Sequence, residues 1–573
     1  MVFASANVGF KQEVPQEQNT FLEDPVMVSV LERYLPAKVL DEISPDLIQI
    51  CDWASTEGVA LTARMEEDQP RLRQYDSWCR RVDELLVTEA WRRQKDIAAR
   101  EGVVAIAYER KYGEYSRIYQ MAKLMLWTSG AGLYSCPIAM TDGCARVIEL
   151  NGTQEMKDNV YSRLISATDA DVTMLLARTH DPSPSAAPNS MRDGSKGLSL
   201  YLANVRDEQG KLNGVRIHRL KDKVGTKALP TAELELDGMI AQQVGENYRG
   251  VKNISAILNI TRVYCGMGCT AAMQRFILGV KEYARRREVF GALLKDQPLH
   301  LATVANMELQ YRATSQFTFY CIAMLGRIET LDNNLPQVKN QDIPLLRLLT
   351  PILKVWSAKN AFAMSQEAME CFGGQGYMEE TGLGRAMRDV LVNTIWEGTT
   401  NVLSLDVLRV MAETGGDALE LYADSVRGML APLKDQPEWI KSVKSIEESL
   451  NLISHHFVTY ATLETRNLLE ASARGLTFAM ADVISGALLC QHAAWSAAKA
   501  KTNSANSIIA SEATIDRISA QRWCEDLEKK LSFQIEALGN ETRYEEDKLM
   551  LFGLADARTS HTTTVQAAIA SKL

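Results

Sequence analysis

Within residues 370–409 the carboxylate of Glu397 lies beside the second of two glycine turns and just ahead of a run of hydroxyl and amide side chains, at spacings that could do chemistry. A helical pattern with apolar residues at Val355, Ala358, Phe362, Met369 and Phe372 stops at Gly373-Gly374. Such glycines end a helix and let another backbone or a phosphate come close. Further on, Trp396-Glu397-Gly398-Thr399-Thr400-Asn401 reads as a turn opening a helix over 402–410. Its backbone N–H groups and hydroxyls would face an anion or a cofactor edge, with Glu397 just ahead of them. A carboxylate placed there could serve several chemistries. The plain structural alternative is an exposed capping Glu on a turn.

The elements that must position this stretch are mostly helical. Residues 26–164 carry apolar side chains at helical spacing, including the mixed-charge stretch 76–105. Ser135-Cys136-Pro137 interrupts them before a short helix over 138–150, and Thr153 is placed to cap the next one. Strand patterns follow at 172–177, 198–202, 215–220 and 232–236, the last alternating cleanly. A β domain over 165–250 is small for one that must make its own core. From 251 helices resume; the stripe Met273, Phe276, Ile277, Val280, Ala284 closes on Arg285-Arg286-Arg287, which also suits a helix C-terminus. The expected class is α+β: a disordered or loosely docked arm (1–25), an N-terminal helical domain (26–164), a central β domain (165–250), a C-terminal helical bundle (251–412) and a helical extension (413–573). No G-x-G-x-x-G follows a strand, which disfavours a nicotinamide-binding Rossmann unit.

Composition narrows the function classes. A net charge of −9 over 573 residues gives no basic face for nucleic acid. Residues 411–573 hold 22 Asp/Glu against 16 Lys/Arg, which argues against DNA association there. No uninterrupted apolar run approaches the ~18 residues of a membrane span. The ten cysteines form no CxxC pair or ligand set, so buried reduced thiols in an intracellular protein are expected and no metal site is. The chain finishes Ser571-Lys572-Leu573, which matches a receptor-read peroxisomal address, so import into peroxisomes is expected, with a cytoplasmic location as the alternative.

Four motifs then fall in register: Arg287-Glu288-Val289-Phe290-Gly291, Phe372-Gly373-Gly374-Gln375-Gly376-Tyr377, Met387-Arg388-Asp389 and Trp396-Glu397-Gly398-Thr399. In order and spacing they resemble the acyl-CoA dehydrogenase family. Trp396, the run 135–141, the run 219–225 and Leu405-Asp406-Val407-Leu408-Arg409 resemble its AidB-type subgroup. The resemblance spans roughly residues 30–560. It implies FAD held at a subunit interface, fatty acyl-CoA as ligand, and homotetramers or homodimers. It also implies that Glu397 removes the α-proton of the thioester while hydride leaves the β-carbon for the flavin. By the same resemblance Arg287 and Gln297 would meet the cofactor's diphosphate. Glu370, Gly373 and Gly374 would approach the cofactor of the neighbouring subunit, Thr399 and Asn401 would contact the flavin side, and Arg262 with Asn259 would lie near bound acyl-CoA. Relatives that carry the base on the earlier helix have it at the position of Thr261, which cannot serve.

One segment departs from the pattern. The family's M-T-E-x-x-G-G-S-D strand and the K-W-F/I-S/T strand after it lie against the flavin ring. Here the helix ending near Leu164 runs through Ser166 directly into Ala167-Thr168-Asp169-Ala170-Asp171-Val172, so about forty residues called for by the resemblance are absent. Two consequences are expected: an incomplete β domain with an exposed edge, and weakened flavin binding. An FAD-dependent dehydrogenase is therefore expected, with a fatty acyl-CoA binding or sequestering protein of weak or no turnover as the alternative.

Overall fold

The computed structural model of the chain describes residues 19–166, 171–180, 194–462, 464–503, 506–536, 543 and 546–553. The junction at 167–170 and the terminal tripeptide 571–573 lie outside the described residues, as does the arm up to residue 18. The chain divides into two compact units, Met1–Thr399 and Thr400–Leu573. That division falls ahead of the expected boundary at 412/413, because the helix opening at Thr400 packs on helices of the second unit.

The first unit opens with α1 (Thr20–Glu23), α2 (Pro25–Tyr34), α3 (Ala37–Trp53) and α4 (Val59–Glu67). Residues 19–25, expected as part of a loose arm, are folded. The Asn19 side chain caps α1. Asp24 caps α2 with Pro25 at its first position, where the missing N–H costs nothing. Asp24 is buried and its Oδ2 accepts from Gln274 Nε2 at 2.6 Å and from the Tyr311 hydroxyl. That pairing fixes the start of the chain against the later helices.

A second correction concerns 76–105, expected as helix. Strands β1 (Arg71–Tyr75) and β2 (Arg81–Leu86) form an antiparallel hairpin there, and α5 (Glu89–Arg100) follows. Asp76 Oδ1 accepts from the backbone N–H groups of Trp78 and Arg80, and this local turn competes with helix. Next come α6 (Ala105–Glu109), α7 (Ser116–Thr128) and α8 (Ser135–Asn151). Pro137 lies in the first turn of α8, so the Ser-Cys-Pro run opens that helix instead of interrupting the chain before it. Two short pieces close this region, α9 (Gln154–Met156), capped by Thr153, and α10 (Ser162–Leu164).

The β region keeps the four strands expected from alternation: β3 (Val172–Arg178), β4 (Leu198–Asn204), β5 (Val215–Leu220) and β6 (Ala232–Leu236), joined by β7 (Gln242–Val244). It consists of two small sheets, β3-β4-β7 and β5-β6. Among the described residues β3 pairs with β4 alone, leaving its other edge open. The N-terminal hairpin supports β5 through side chains: Asp83 Oδ2 accepts from Ile217 N at 3.0 Å, and Gln74 Nε2 donates to Ile217 O at 2.9 Å.

Long helices fill the rest of the unit. α11 (Gly250–Ala284) leads to the hairpin β8 (Glu288–Val289) and β9 (Ala292–Leu293), then α12 (Pro298–Thr330), α13 (Ile343–Cys371) and α14 (Leu383–Leu391). A buried polar cluster ties α7, α8, α11 and α12. Arg117 donates to Asp142 Oδ2 at 2.6 Å and forks onto both oxygens of Glu329 at 2.8 and 2.9 Å. Tyr108 and Tyr264 each donate to Asp142 at 2.7 Å. A buried guanidinium facing two carboxylates is tolerable because every charge has partners.

The second unit contains α15 (Thr400–Glu413), α16 (Asp417–Leu430), α17 (Ile440–Tyr460), α18 (Arg466–Thr502), α19 (Ser507–Cys524) and α20 (Leu527–Glu536). α18 is its axis, accepting Tyr422 OH at Met480 O (2.6 Å) and Trp523 Nε1 at Asp482 O (2.9 Å). By length and composition α18 could cross a membrane, yet 83% of its apolar window is buried. All ten cysteines are free, and Cys79, on the β1–β2 turn, is the exposed one.

Candidate active site

Glu397 sits on a tight turn after α14, with φ of 57°, a left-handed conformation rare for a residue with a side chain. Two contacts hold it there. The carbonyl of Gly398 accepts from Lys354 Nζ at 2.6 Å. Thr261 Oγ1, on α11, lies 2.6 Å from Glu397 Oε2 and 3.0 Å from Ile257 O. The hydroxyl can donate to an ionised Glu397, or turn to the Ile257 carbonyl and accept once Glu397 carries a proton. Lys354 is fully buried within α13. Burial lowers the pKa of its ammonium, while the Cys265 and Cys269 thiols and the Glu397 carboxylate oppose that shift.

The Glu397 carboxylate faces a mainly apolar cavity of about 330 Å³. One wall is a face of α11 in which Ile257, Thr261, Cys265, Gly268, Ala272 and Arg275 recur at helical spacing. The end of α7 and the start of α8 form a second wall, and α14 with Trp396 a third. Trp396 Nε1 donates to Asn393 Oδ1 at 2.8 Å, fixing the indole beside the carboxylate. Cys136 lines the cavity as well, its thiol pushed up to about 11 by burial and by Glu397.

A second carboxylate, Asp389 on α14, lines the same cavity. Its Oδ1 accepts from Thr226 N at 2.6 Å, docking the β5–β6 loop onto α14. Neighbouring Gly225 approaches so closely that a Cβ there would stand 2.3 Å from Arg388 O. Burial pushes Asp389 up to about 6; the Thr226 N–H opposes the shift, Glu66 adds to it, and Arg385 and Arg388 oppose it.

The sequence-derived site residues fall into separate groups. Glu397 lines the cavity, and Thr399 is exposed two residues on. Arg262 and Asn259 are half-buried on α11 beside Thr261 but do not line the cavity. Arg287, Gln297, Glu370, Gly373 and Gly374 belong to the opposite end of α11. There Tyr283 stacks on Phe372 with ring centroids 4.5 Å apart, joining the end of α11 to the end of α13. Gln297 Nε2 donates to Val289 O at 3.1 Å, bracing the β8–β9 hairpin that follows Arg287. Glu370 is exposed and accepts from Gln366 at 3.3 Å; Gly373 has φ of 60°, and open space surrounds both glycines. From Thr261 to Ala284, α11 rises by about 35 Å at ~1.5 Å per residue. Arg287 and the glycine pair therefore stand far from Glu397 of their own chain. Asn401 belongs to the second unit, where its Oδ1 accepts from Arg474 Nη1 at 3.1 Å.

Sequence reasoning passed over Lys354 and Gly268, met Asp389 only within the Met387-Arg388-Asp389 motif, and set aside Thr261, whose hydroxyl bonds the Glu397 carboxylate. Lys354 did leave a signal, a lone cation inside the apolar run 351–356. Among the described residues, no group of three or more His, Cys, Asp or Glu could hold a metal ion.

Three family models match the chain: the Acyl-CoA dehydrogenase, C-terminal domain over 248–412, the Acyl-CoA dehydrogenase 11 C-terminal domain-like over 417–552, and the Adaptive response protein AidB N-terminal domain over 12–169. The chain is 37% identical over 542 residues to Acyl-CoA dehydrogenase family member 11 of Caenorhabditis elegans, covering 85% of this chain and 86% of that protein. It is 26% identical over 448 residues to the putative acyl-CoA dehydrogenase AidB of Escherichia coli, covering 71% and 81%. Its structure resembles that of Caenorhabditis elegans ACDH-11 in complex with C11-CoA, with a TM-score of 0.83 at 33% identity over 96% of this chain and 98% of that one.

Proposed function

Because the chain belongs to the acyl-CoA dehydrogenase family, in its AidB-like branch, we propose that it oxidises fatty acyl-CoA thioesters, with Glu397 as the base and FAD as the hydride acceptor. One observation carries this: the Glu397 carboxylate, on the wall of a mainly apolar cavity, is held by the hydroxyl of Thr261. The cavity excludes water from the acyl chain, and Thr261 aims the Glu397 carboxylate. Glu397 takes the proton from the α-carbon, leaving an α,β-unsaturated thioester once hydride has left the β-carbon. Bound FAD supplies the two-electron acceptor for that hydride. Arg262, with Asn259 three residues before it, offers a cation near the thioester end.

The chain's residues suit the diphosphate half of FAD. Arg287 can fork onto phosphate oxygens, Gln297 can donate, and the open Gly373-Gly374 turn lets a cofactor reach the backbone. Since about 35 Å of helix separates this group from Glu397, it would serve the cofactor of a second copy, in a homodimer or homotetramer. The ring half fits less well: β3 starts at Val172 with an open outer edge, where two flavin-facing strands are called for. That edge favours a second function, the binding of fatty acyl-CoA with weak or no turnover.

One experiment separates the two. Full-length protein purified with added FAD is tested for acyl-CoA oxidation with an artificial electron acceptor, beside binding of the same thioesters. Turnover that is lost in Glu397→Gln, while binding persists, supports the dehydrogenase. Binding without turnover in saturating FAD selects the second function, and absence of acyl-CoA binding rejects both.

A further inference from the structure

Past Thr261 the part of α11 that lines the cavity carries Tyr264, Cys265 and Met267, then the small Gly268, Ala271 and Ala272, before Arg275 at the far end. Gly268 differs from its neighbours in what surrounds it. A Cβ built on Gly266, on the opposite face, would meet Leu353 at 2.8 Å, whereas one on Gly268 would meet nothing within 4 Å. Gly268 thus opens onto the cavity without being required by helix packing. A helix-interior glycine costs roughly 1 kcal/mol relative to alanine, so the void it leaves is not explained by stability. The cavity continues past it, since Ala272, Arg275, Phe276 and Ser129 also line it.

We propose that Gly268 sets the depth of the acyl channel, so that the substrates are long, unbranched acyl chains that must pass it. The inference rests on the acyl-CoA activity proposed above. From Thr261, level with the reacting carbons, to Gly268 is about 10 Å of helix, and to Arg275 about 21 Å, at ~1.5 Å per residue. A fully extended chain advances ~3.5 Å for every three bonds, so these distances correspond to about nine and about eighteen bonds. A side chain at Gly268 would stop the channel near the ninth bond. The partly exposed guanidinium of Arg275, which donates to Ser129 O at 3.2 Å, ends the apolar section.

The test is binding and oxidation of a straight-chain series from hexanoyl- to stearoyl-CoA by the full chain, Gly268→Leu and Ala272→Leu. Gly268→Leu should keep hexanoyl- and octanoyl-CoA while losing affinity for palmitoyl-CoA by at least about tenfold, the worth of roughly two buried methylenes. Ala272→Leu, about 6 Å further along the helix, should move the cut-off to a longer chain. A graded cut-off distinguishes a plugged channel from misfolding, which would depress all lengths together, and Gly268→Ala provides a milder plug if Leu prevents folding. An unchanged length profile in all variants overturns the assignment of Gly268 while leaving acyl-CoA as the ligand. Failure of the unsubstituted chain to bind any acyl-CoA overturns the activity and this inference together.

Discussion

Thr261 Oγ1 and Glu397 Oε2 meet at 2.6 Å although the two residues lie 136 positions apart in the chain. The hydroxyl fixes one oxygen of the carboxylate and leaves the other for a substrate proton. Valine at 261 would keep the shape and remove the donor. A hydrogen bond to a charged group is worth about 1.5–3 kcal/mol, so Thr261→Val should lower kcat by about one to two orders of magnitude. The Kd for acyl-CoA should change little, and Thr261→Ser should recover most of the rate. Steady-state kinetics beside direct binding checks this; a Thr261→Val enzyme with unaltered kcat would remove Thr261 from the site.

Lys354 acts on the same turn from the other side, through the Gly398 carbonyl at 2.6 Å. Lys354→Met retains the buried stem and deletes the ammonium, leaving that carbonyl without its donor. The expected cost is about 1–3 kcal/mol in stability, seen as a lowered Tm, together with a fall in kcat as the strained Glu397 backbone relaxes. Thermal denaturation and turnover on the same preparation test the pair of effects. A variant that loses stability but keeps kcat would make Lys354 a packing residue alone.

Much of this architecture is written locally. The strands at 172–177, 198–202, 215–220 and 232–236 were legible because β-rich composition and alternation are short-range signals, and the turn that carries Glu397 because its glycine is one too. The hairpin at 71–86 escaped because Asp76 makes its turn by side-chain bonds to Trp78 and Arg80, which periodicity does not register. The folding of residues 19–25 depends on Asp24 reaching Gln274 and Tyr311, partners some 250 and 287 positions away. Thr261 and Lys354 were out of reach for the same reason, since their importance comes from what the fold sets against them.

At the other end of α11, Glu370 stands exposed three residues before the Gly373-Gly374 turn. A diphosphate approaching that turn would meet its negative charge. In water each such pair costs about 0.5 kcal/mol at ~8 Å. Glu370→Gln should therefore tighten FAD binding by about twofold to fivefold at low salt, with the gain shrinking as the Debye length falls. Flavin fluorescence titration of the full chain at two ionic strengths measures it. Equal or weaker FAD binding by the variant would place the cofactor elsewhere.

Asp389 adds a pH dependence whose sign follows from its raised pKa. Its ordinary value is 3.8, and in the folded chain burial first, with Glu66 adding, pushes it up to about 6. Between those values the folded state binds the proton that the unfolded state has lost, so the contribution to stability is complete below about pH 4 and disappears as pH rises through about 6. A shift of this size corresponds to at most about 3 kcal/mol. Asp389→Asn keeps an oxygen to accept the Thr226 N–H, bound here at 2.6 Å, and removes the titration. Relative to this variant, the unsubstituted chain should lose Tm between pH 4 and 7 on top of whatever other groups contribute. The difference in Tm between the two proteins, followed across that range, isolates the term; a constant difference would mean that Asp389 stays ionised throughout. The same measurement with bound acyl-CoA should show a fall that is steeper and extends to higher pH if the chain covers Asp389 and holds it protonated to higher pH.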